Sequence, residues 1–432
     1  MSHRFLASLS AVAAATATLS LAPMPVAGQA PAARPKTAAQ VQVPVARQTP
    51  PAATRAAAAK PKPVAPSRTS WGDPDLQGIW TAEYQTPLQR PAKFAAKEFF
   101  TEDEVAELDR QRAGLLRRDY RAARGSEADV GGAYNALYNP VKPTGRRTSL
   151  IVDPPDGRIP PLTPEAQKKR AAIREFQLAL LQATDLCKNK QQGVPLRNGV
   201  PGGATCIDGQ YGPPSPRLKE QAPYYATAGV NRADGPEDEP LGSRCLAGQV
   251  PDLSGHRRIV QSPGQVAIVY EGWQRVIPVT TSPHLPANIR QWWGDSRGHW
   301  EGNTLVVDVT NFSAKTDFQG SRENLHIVER WTRIDANTLE YAVTVDDPTT
   351  WTKPWTAKQE LNLQSDQANR IYYEPRCHEG NYGLLGILSG ARAADKAFAE
   401  GRGPDPATLC VAFGGNCGGL QTEDNQDPLE FD

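Results

Sequence analysis

From Ile259 onward the chain alternates apolar and polar side chains with a period of two, the pattern of a half-buried β-strand. Leu339, Tyr341, Val343 and Val345 form one apolar face, and Glu340, Thr344 and Asp346 lie on the other. Leu305, Val307 and Val309 repeat this opposite Thr304, Asp308 and Thr310. The pattern predicts strands over residues 265–270, 274–279, 304–312, 325–334, 338–346, 356–363 and 370–376. Turn-forming stretches separate them, among them Glu301-Gly302-Asn303, Asp335-Ala336-Asn337 and Asp346-Asp347-Pro348, so antiparallel neighbours are expected. Such a sheet can close into a barrel with either face inward, and alternation alone leaves the choice open.

Between Trp80 and Ile259 the pattern changes. Thr101-Glu102-Asp103-Glu104 is a capping box that opens a charged helix to about Arg124. Thr163-Pro164-Glu165 supplies an N-cap, a proline at the first position and an early acid for a second helix to about Ala183. Residues 146–158 read as a short strand ending in a turn, residues 187–255 as loop, and Ser389-Gly390 as the start of a short helix. The domain reading is one barrel over residues 71–398, with a helical and loop insertion at about 93–255 and a peripheral tail over 399–432.

The first strand opens on Gly78-Ile79-Trp80. A Gly-x-Trp at this position resembles the lipocalin and wider calycin superfamily. The resemblance implies that the glycine relieves a tight entry and the indole plugs the closed end of the barrel. The fold class expected is therefore mainly β with a helical insertion, an antiparallel lipocalin/calycin-like β-barrel decorated by loops. Gly78-Ile79-Trp80, residues 147–161, Pro236-Glu237-Asp238 with Arg244-Cys245, Ile289-Arg290-Gln291-Trp292, Glu323-Asn324-Leu325-His326 and Cys377-His378-Glu379-Gly380-Asn381-Tyr382 together resemble a family of exported bacterial proteins over Trp71 to Phe398. That resemblance carries no mechanism with it.

Location is read from the N-terminus. Arg4 precedes an apolar, small-residue stretch to Met24, and Val26-Ala27-Gly28-Gln29-Ala30 offers small residues to a signal peptidase. Residues 1–29 are the expected signal, cleaved between Gly28 and Pro31, and the protein is expected in the periplasm or outside the cell. Residues 30–70 are Ala, Pro, Lys and Arg with hardly an aromatic, a composition that forms a disordered linker. No later segment is apolar for long enough to span a membrane as a helix. Lys plus Arg number 48 against 47 Asp plus Glu, so a nucleic-acid partner is not expected. The six cysteines are Cys187, Cys206, Cys245, Cys377, Cys410 and Cys417, and in an oxidising compartment disulfides are the default. Nearest-neighbour logic pairs Cys187 with Cys206, Cys410 with Cys417, and Cys245 with Cys377. The sequence leaves other pairings open.

Candidate chemistry concentrates in the strand region. His326 and Arg330 share a strand face, and Asp308 from another strand completes a His/Arg/carboxylate set suited to proton transfer or oxyanion binding. His378 and Glu379 lie at a strand end where neighbouring side chains can converge, and His284 sits in an end loop. These histidines with Glu379 would suit zinc or iron, but no His-Glu-x-x-His or His-x-His spacing is present. No metal or other cofactor is expected. His326, His378, Glu379 and Asp308 are the catalytic candidates. His284, Arg290, Arg330, Trp331, Tyr341, Trp351 and Trp355 are the ligand-binding candidates, since indoles and phenols bind planar molecules well. No phosphate loop or dinucleotide fingerprint following a strand occurs.

The first functional expectation is an exported barrel that binds a small hydrophobic or aromatic ligand. The alternative is an enzyme on the same barrel, a lyase, isomerase or hydrolase with a histidine base and Arg and carboxylate partners. Sequencing the N-terminus of protein isolated from the cell envelope is expected to start near Gln29. An intact Met1 on the accumulated protein overturns the export reading.

Overall fold

The period-two alternation of the strand region becomes an inner and an outer wall. In the computed structural model, residues 67–95, 97–116, 142–188, 210–225, 229–246, 248, 250–253, 256–270, 273–364 and 381–411 are described. They carry ten strands: β1 (Gly78–Thr81), β2 (Ile151–Asp153), β3 (His256–Ser262), β4 (Gln265–Val269), β5 (Gln274–Pro278), β6 (Asp295–Glu301), β7 (Thr304–Thr310), β8 (His326–Arg333), β9 (Thr338–Asp346) and β10 (Trp355–Leu363). The hydrogen-bonded order is β5-β4-β3-β1-β10-β9-β8-β7-β6, all antiparallel along that path. β2 adds to the half of β10 that β1 leaves uncovered, pairing Ala357 with Ile151. The ends of the path meet where Val279, just past β5, bridges Gly298 in β6 and Thr280 donates its N–H to the Gly298 carbonyl at 2.9 Å. The result is a nearly closed barrel. Gly298 permits the approach, because a Cβ there would stand 3.1 Å from Ile277 and 3.3 Å from Leu305.

The apolar face points inward. Leu305, Val307, Val309, Leu339, Tyr341, Val343 and Val345 are all fully buried in one core with Ile259, Ile268, Ile277 and Ile327. One end is sealed by Trp80. Its indole donates to the Leu76 carbonyl at 2.9 Å, and the Arg333 guanidinium lies 5.4 Å from its ring centre. Gly78, at φ 147°, lets β1 enter against Leu363, whose Cδ1 would stand 2.5 Å from an added Cβ. Residues 67–77 cross beneath this end: Arg333 donates to the Asp75 carbonyl and Gln261 to the Pro74 carbonyl, both at 3.1 Å.

The inserted segments dock outside. Helix α1 (Glu102–Leu116) starts with the expected capping box, Glu104 N–H to Thr101 Oγ1 and Thr101 N–H to Glu104 Oε2. Helix α2 (Pro164–Ala179) is capped by Thr163, which also donates to the Thr349 carbonyl at 2.7 Å. A one-turn α3 (Asp185–Lys188) follows. The C-terminal helix α4 differs from expectation: it spans Tyr382–Ala399, capped by Asn381, and Ser389-Gly390 lie inside it. Leu384, Leu385 and Ile387 make its first half a helix former that needs no later start. No helix of the described residues is long and apolar enough to cross a membrane. Cys187, Cys245 and Cys410 are disulfide-bonded, but no pairing between two described residues occurs, and Cys206, Cys377 and Cys417 lie outside them. So do the expected signal and most of the expected linker, the strand expected over 370–376, and residues 117–124 of the helix expected to reach Arg124.

The β9–β10 connection is tied by one buried carboxylate. Asp347 accepts from Ser321 Oγ at 2.5 Å, from Thr350 Oγ1 at 2.7 Å, and from the Thr349 N–H and hydroxyl at 2.9 and 2.7 Å. Burial pushes this carboxyl up, but the hydrogen bonds outweigh it and hold the group below the usual aspartate value. A depressed folded value means the stabilisation is complete above the unfolded pKa and is lost as pH falls through the folded one. Asp347→Asn is expected to cost about 1–3 kcal/mol at neutral pH, with the gap to wild type closing as pH drops below the usual aspartate range. Urea denaturation across a pH series measures it, and a gap that stays constant to the acid limit refutes the assignment.

Candidate functional site

Three charged residues are buried in the inward, apolar phase of their strands: Arg257 of β3, Arg275 of β5 and Glu329 of β8. On β8, Arg333 reaches the Trp80 seal, and Glu329 lies four positions further from it, about 13 Å along the strand. Arg275 Nη2 donates to Glu329 Oε2 at 2.6 Å, and the two side chains are 4% and 0% exposed. The Tyr341 hydroxyl donates to the other oxygen, Glu329 Oε1, at 2.7 Å. Arg257 Nη2 donates to Gln359 Oε1 at 3.3 Å. The Arg257 guanidinium faces the rings of Trp331 and Tyr341 at 5.3 Å each and of Tyr270 at 5.8 Å. Such contacts offset part of the desolvation of a buried cation.

Burial opposes the Arg275 charge, but Glu329 more than compensates and raises its pKa. Burial, reinforced by Glu329, raises Tyr341 well above the phenol range. Tyr341 therefore stays a neutral donor. Trp331 and Tyr341 are cross-strand partners, stacked at 4.0 Å. From this layer an aromatic ladder leads outward: Tyr270 stacks on Trp273 at 4.1 Å and 10°, and Trp273 on Trp293 at 4.9 Å and 29°. Gly248, at φ 137°, presses its backbone onto the ladder, and a Cβ there would stand 2.7 Å from Trp273 and 2.8 Å from Trp293 Nε1. The interior around this layer is filled by buried side chains.

The other expected residues divide. Trp331 and Tyr341 belong to the interior layer. Trp351 and Trp355 are fully buried, edge to face at 5.8 Å, with Phe318 stacked on Trp355. Arg290 donates to the carbonyls of Glu323 and Phe312, and so fastens two loops. Arg330 is on the outer wall, donating to Glu301 at 2.8 Å. His378 and Glu379 lie outside the described residues.

His326, Asp308 and His284 do come together, on the outer wall. His326 Nε2 is 2.9 Å from Asp308 Oδ2; His284 Nε2 is 2.8 Å from Asp308 Oδ1 and its Nδ1 is 2.8 Å from Asp295 Oδ2. Arg297 donates to Asp295 at 2.6 Å. His284 reaches this position because Asn311, at φ 59°, donates to the Leu285 carbonyl at 2.8 Å and draws the loop against the sheet. Among the described residues no group of His, Cys, Asp and Glu has metal-holding geometry.

Arg257, Tyr270, Trp273 and Arg275 were not among the expected site residues. Their signal was available: Arg257-x-Ile259-x-Gln261 and Arg275-x-Ile277 put a charge in phase with buried apolar residues. No family model, curated protein or solved structure matches the chain.

The interior pair carries a mutational signature. Glu329→Leu strands a buried guanidinium and is expected to cost about 3–5 kcal/mol, whereas Arg275→Met with Glu329→Leu together should recover most of that loss. A denaturant-based double-mutant cycle reads the coupling. Additive losses would mean that the two charges are not paired.

Proposed function

We propose that this is an exported barrel that binds a small aromatic ligand at the ladder end, between Trp273 and the Arg257–Arg275–Glu329 layer. One observation carries the reading: two guanidiniums and a carboxylate stand in the barrel interior where apolar side chains would pack at less cost. Each buried ion loses several kcal/mol of hydration even after relaxation, and a barrel selected for stability alone has no use for that. Ligand sites combine apolar and aromatic walls with a few converging polar groups. Tyr270, Trp273 and Trp293 supply the wall, and the interior layer supplies the polar groups. The seal at Trp80 leaves the opposite end as the way in.

A second reading is favoured by the outer His326–Asp308 contact. A carboxylate that accepts a hydrogen bond from one ring N–H fixes the tautomer and leaves the other nitrogen to act as a base. His326 is 42% exposed and so can meet a substrate, with Asp308 as its positioning residue. On that reading His326→Ala lowers turnover of a substrate found by screening about 100-fold or more, with circular dichroism and melting unchanged.

The binding reading is tested first. Purified full-length protein titrated with 2-naphthoate is expected to show quenched tryptophan emission, and Trp273→Ala should weaken the affinity about tenfold, within the cost of removing an aromatic anchor. Native mass spectrometry of the same preparation checks for a co-purified organic ligand. No quenching by the probe, or quenching untouched by Trp273→Ala, removes the ladder as a binding wall.

A further inference from the structure

The polar atoms of the interior are unequally used. Both oxygens of Glu329 already accept, one from Arg275 and one from Tyr341, and Gln359 Oε1 already accepts from Arg257. The donors are in excess. Arg275 Nε and Nη1, Trp331 Nε1 and Trp293 Nε1 are buried with no hydrogen-bond partner among the described residues. Arg275 is on the inner wall with a side chain only 4% exposed. Buried donors without partners are rare in folded proteins, and each calls for an explanation. A guanidinium has no acceptor capacity and an indole N–H only donates, so the missing partner must accept.

We infer that the ligand carries an oxyanion, and that the site takes an aromatic carboxylate whose oxygens meet Arg275. The geometry of the group favours this class: with Nη2 held by Glu329, Nε and Nη1 remain as donors of a planar fork that matches carboxylate oxygens. The aromatic part of the ligand extends along Tyr270 and Trp273, whose rings are nearly parallel. An amine of the same shape would bring a further donor to an interior where the Glu329 oxygens and Gln359 Oε1 already accept and the Arg275 donors are the groups left over. A bare hydrocarbon would satisfy the ladder and leave Arg275 as it is. This inference rests on the binding reading given above and names the ligand class for the same site.

The test compares three probes of one ring system, naphthalene, 2-naphthylamine and 2-naphthoate, on full-length protein near neutral pH by tryptophan quenching. The expected result is that 2-naphthoate binds at least tenfold more tightly than either of the others. Arg275→Lys retains a cation for Glu329 but deletes the spare guanidinium donors, and is expected to reduce that preference at least fivefold. Trp331→Phe keeps an aromatic ring but removes the indole N–H, serving as a second variant if Arg275→Lys does not fold. Equal binding of all three probes overturns the oxyanion inference and leaves the binding reading standing. Failure of all three to bind overturns the binding reading itself. A naphthoate preference that survives both substitutions overturns the assignment to Arg275 and Trp331.

Discussion

The bridge from Arg275 to Glu329 joins strands that are not neighbours. β5 and β8 are separated around the wall by β6 and β7, and the contact crosses the interior rather than following the sheet. β5 meets β6 weakly, through a single bridge at Val279 and Gly298, so the wall is least continuous there. A 2.6 Å ion pair at full burial holds the two sides of that seam at a set distance. Removing one charge leaves the other stranded in a low-dielectric interior, so both must be kept or both replaced. Tyr341 depends on the same carboxylate, and through its stacking on Trp331 so does the aromatic environment of Arg257.

The barrel is thereby divided along its axis. Near Trp80 the interior is sealed by an indole held at its N–H by Leu76 and covered by Arg333, with the segment before β1 crossing underneath. Further along, the interior turns polar and aromatic. Arg257 lies opposite Trp80 in register, yet its guanidinium reaches Trp331, Tyr341 and Tyr270. A long side chain can carry its charge away from the backbone that bears it. One residue thus sits beside the seal in sequence register and contributes to the polar layer in space.

Most of the wall was legible in the sequence, because a buried face on one side of a sheet forces strict alternation. β4, β5, β7, β8, β9 and β10 fall where the period of two places them, and Gly78-Ile79-Trp80 opens β1. β6 escaped because Asp295-Ser296-Arg297-Gly298-His299-Trp300-Glu301 contains little that is apolar; it is a strand by virtue of pairing with β7 over its whole length. The start of β3 was hidden by Arg257, a charge in an inward position. The outer cluster was half legible. His326 and Arg330 share a face as alternation requires, and Asp308 stands within reach on the adjoining strand. His284 joins them only through a loop whose course depends on Asn311, and no local pattern encodes that.

The two chemical centres differ in what folding alone would account for. On the outer wall His284, Asp308 and His326 are partly exposed and the buried Asp295 is paired, so that Asp295, His284, Asp308 and His326 satisfy one another in a chain. Such a chain fastens a loop to a sheet at modest cost, and it explains itself without a substrate. Inside, the side chains are buried and the accounts do not close: both Glu329 oxygens are engaged, while Arg275 retains Nε and Nη1 donors without a partner among the described residues. Buried polar networks are stable when every member is paired, and a partly satisfied one is worse than an apolar core. The interior therefore needs something beyond the fold to justify it, and the outer wall does not. That asymmetry is why binding inside the barrel takes precedence over catalysis on its surface.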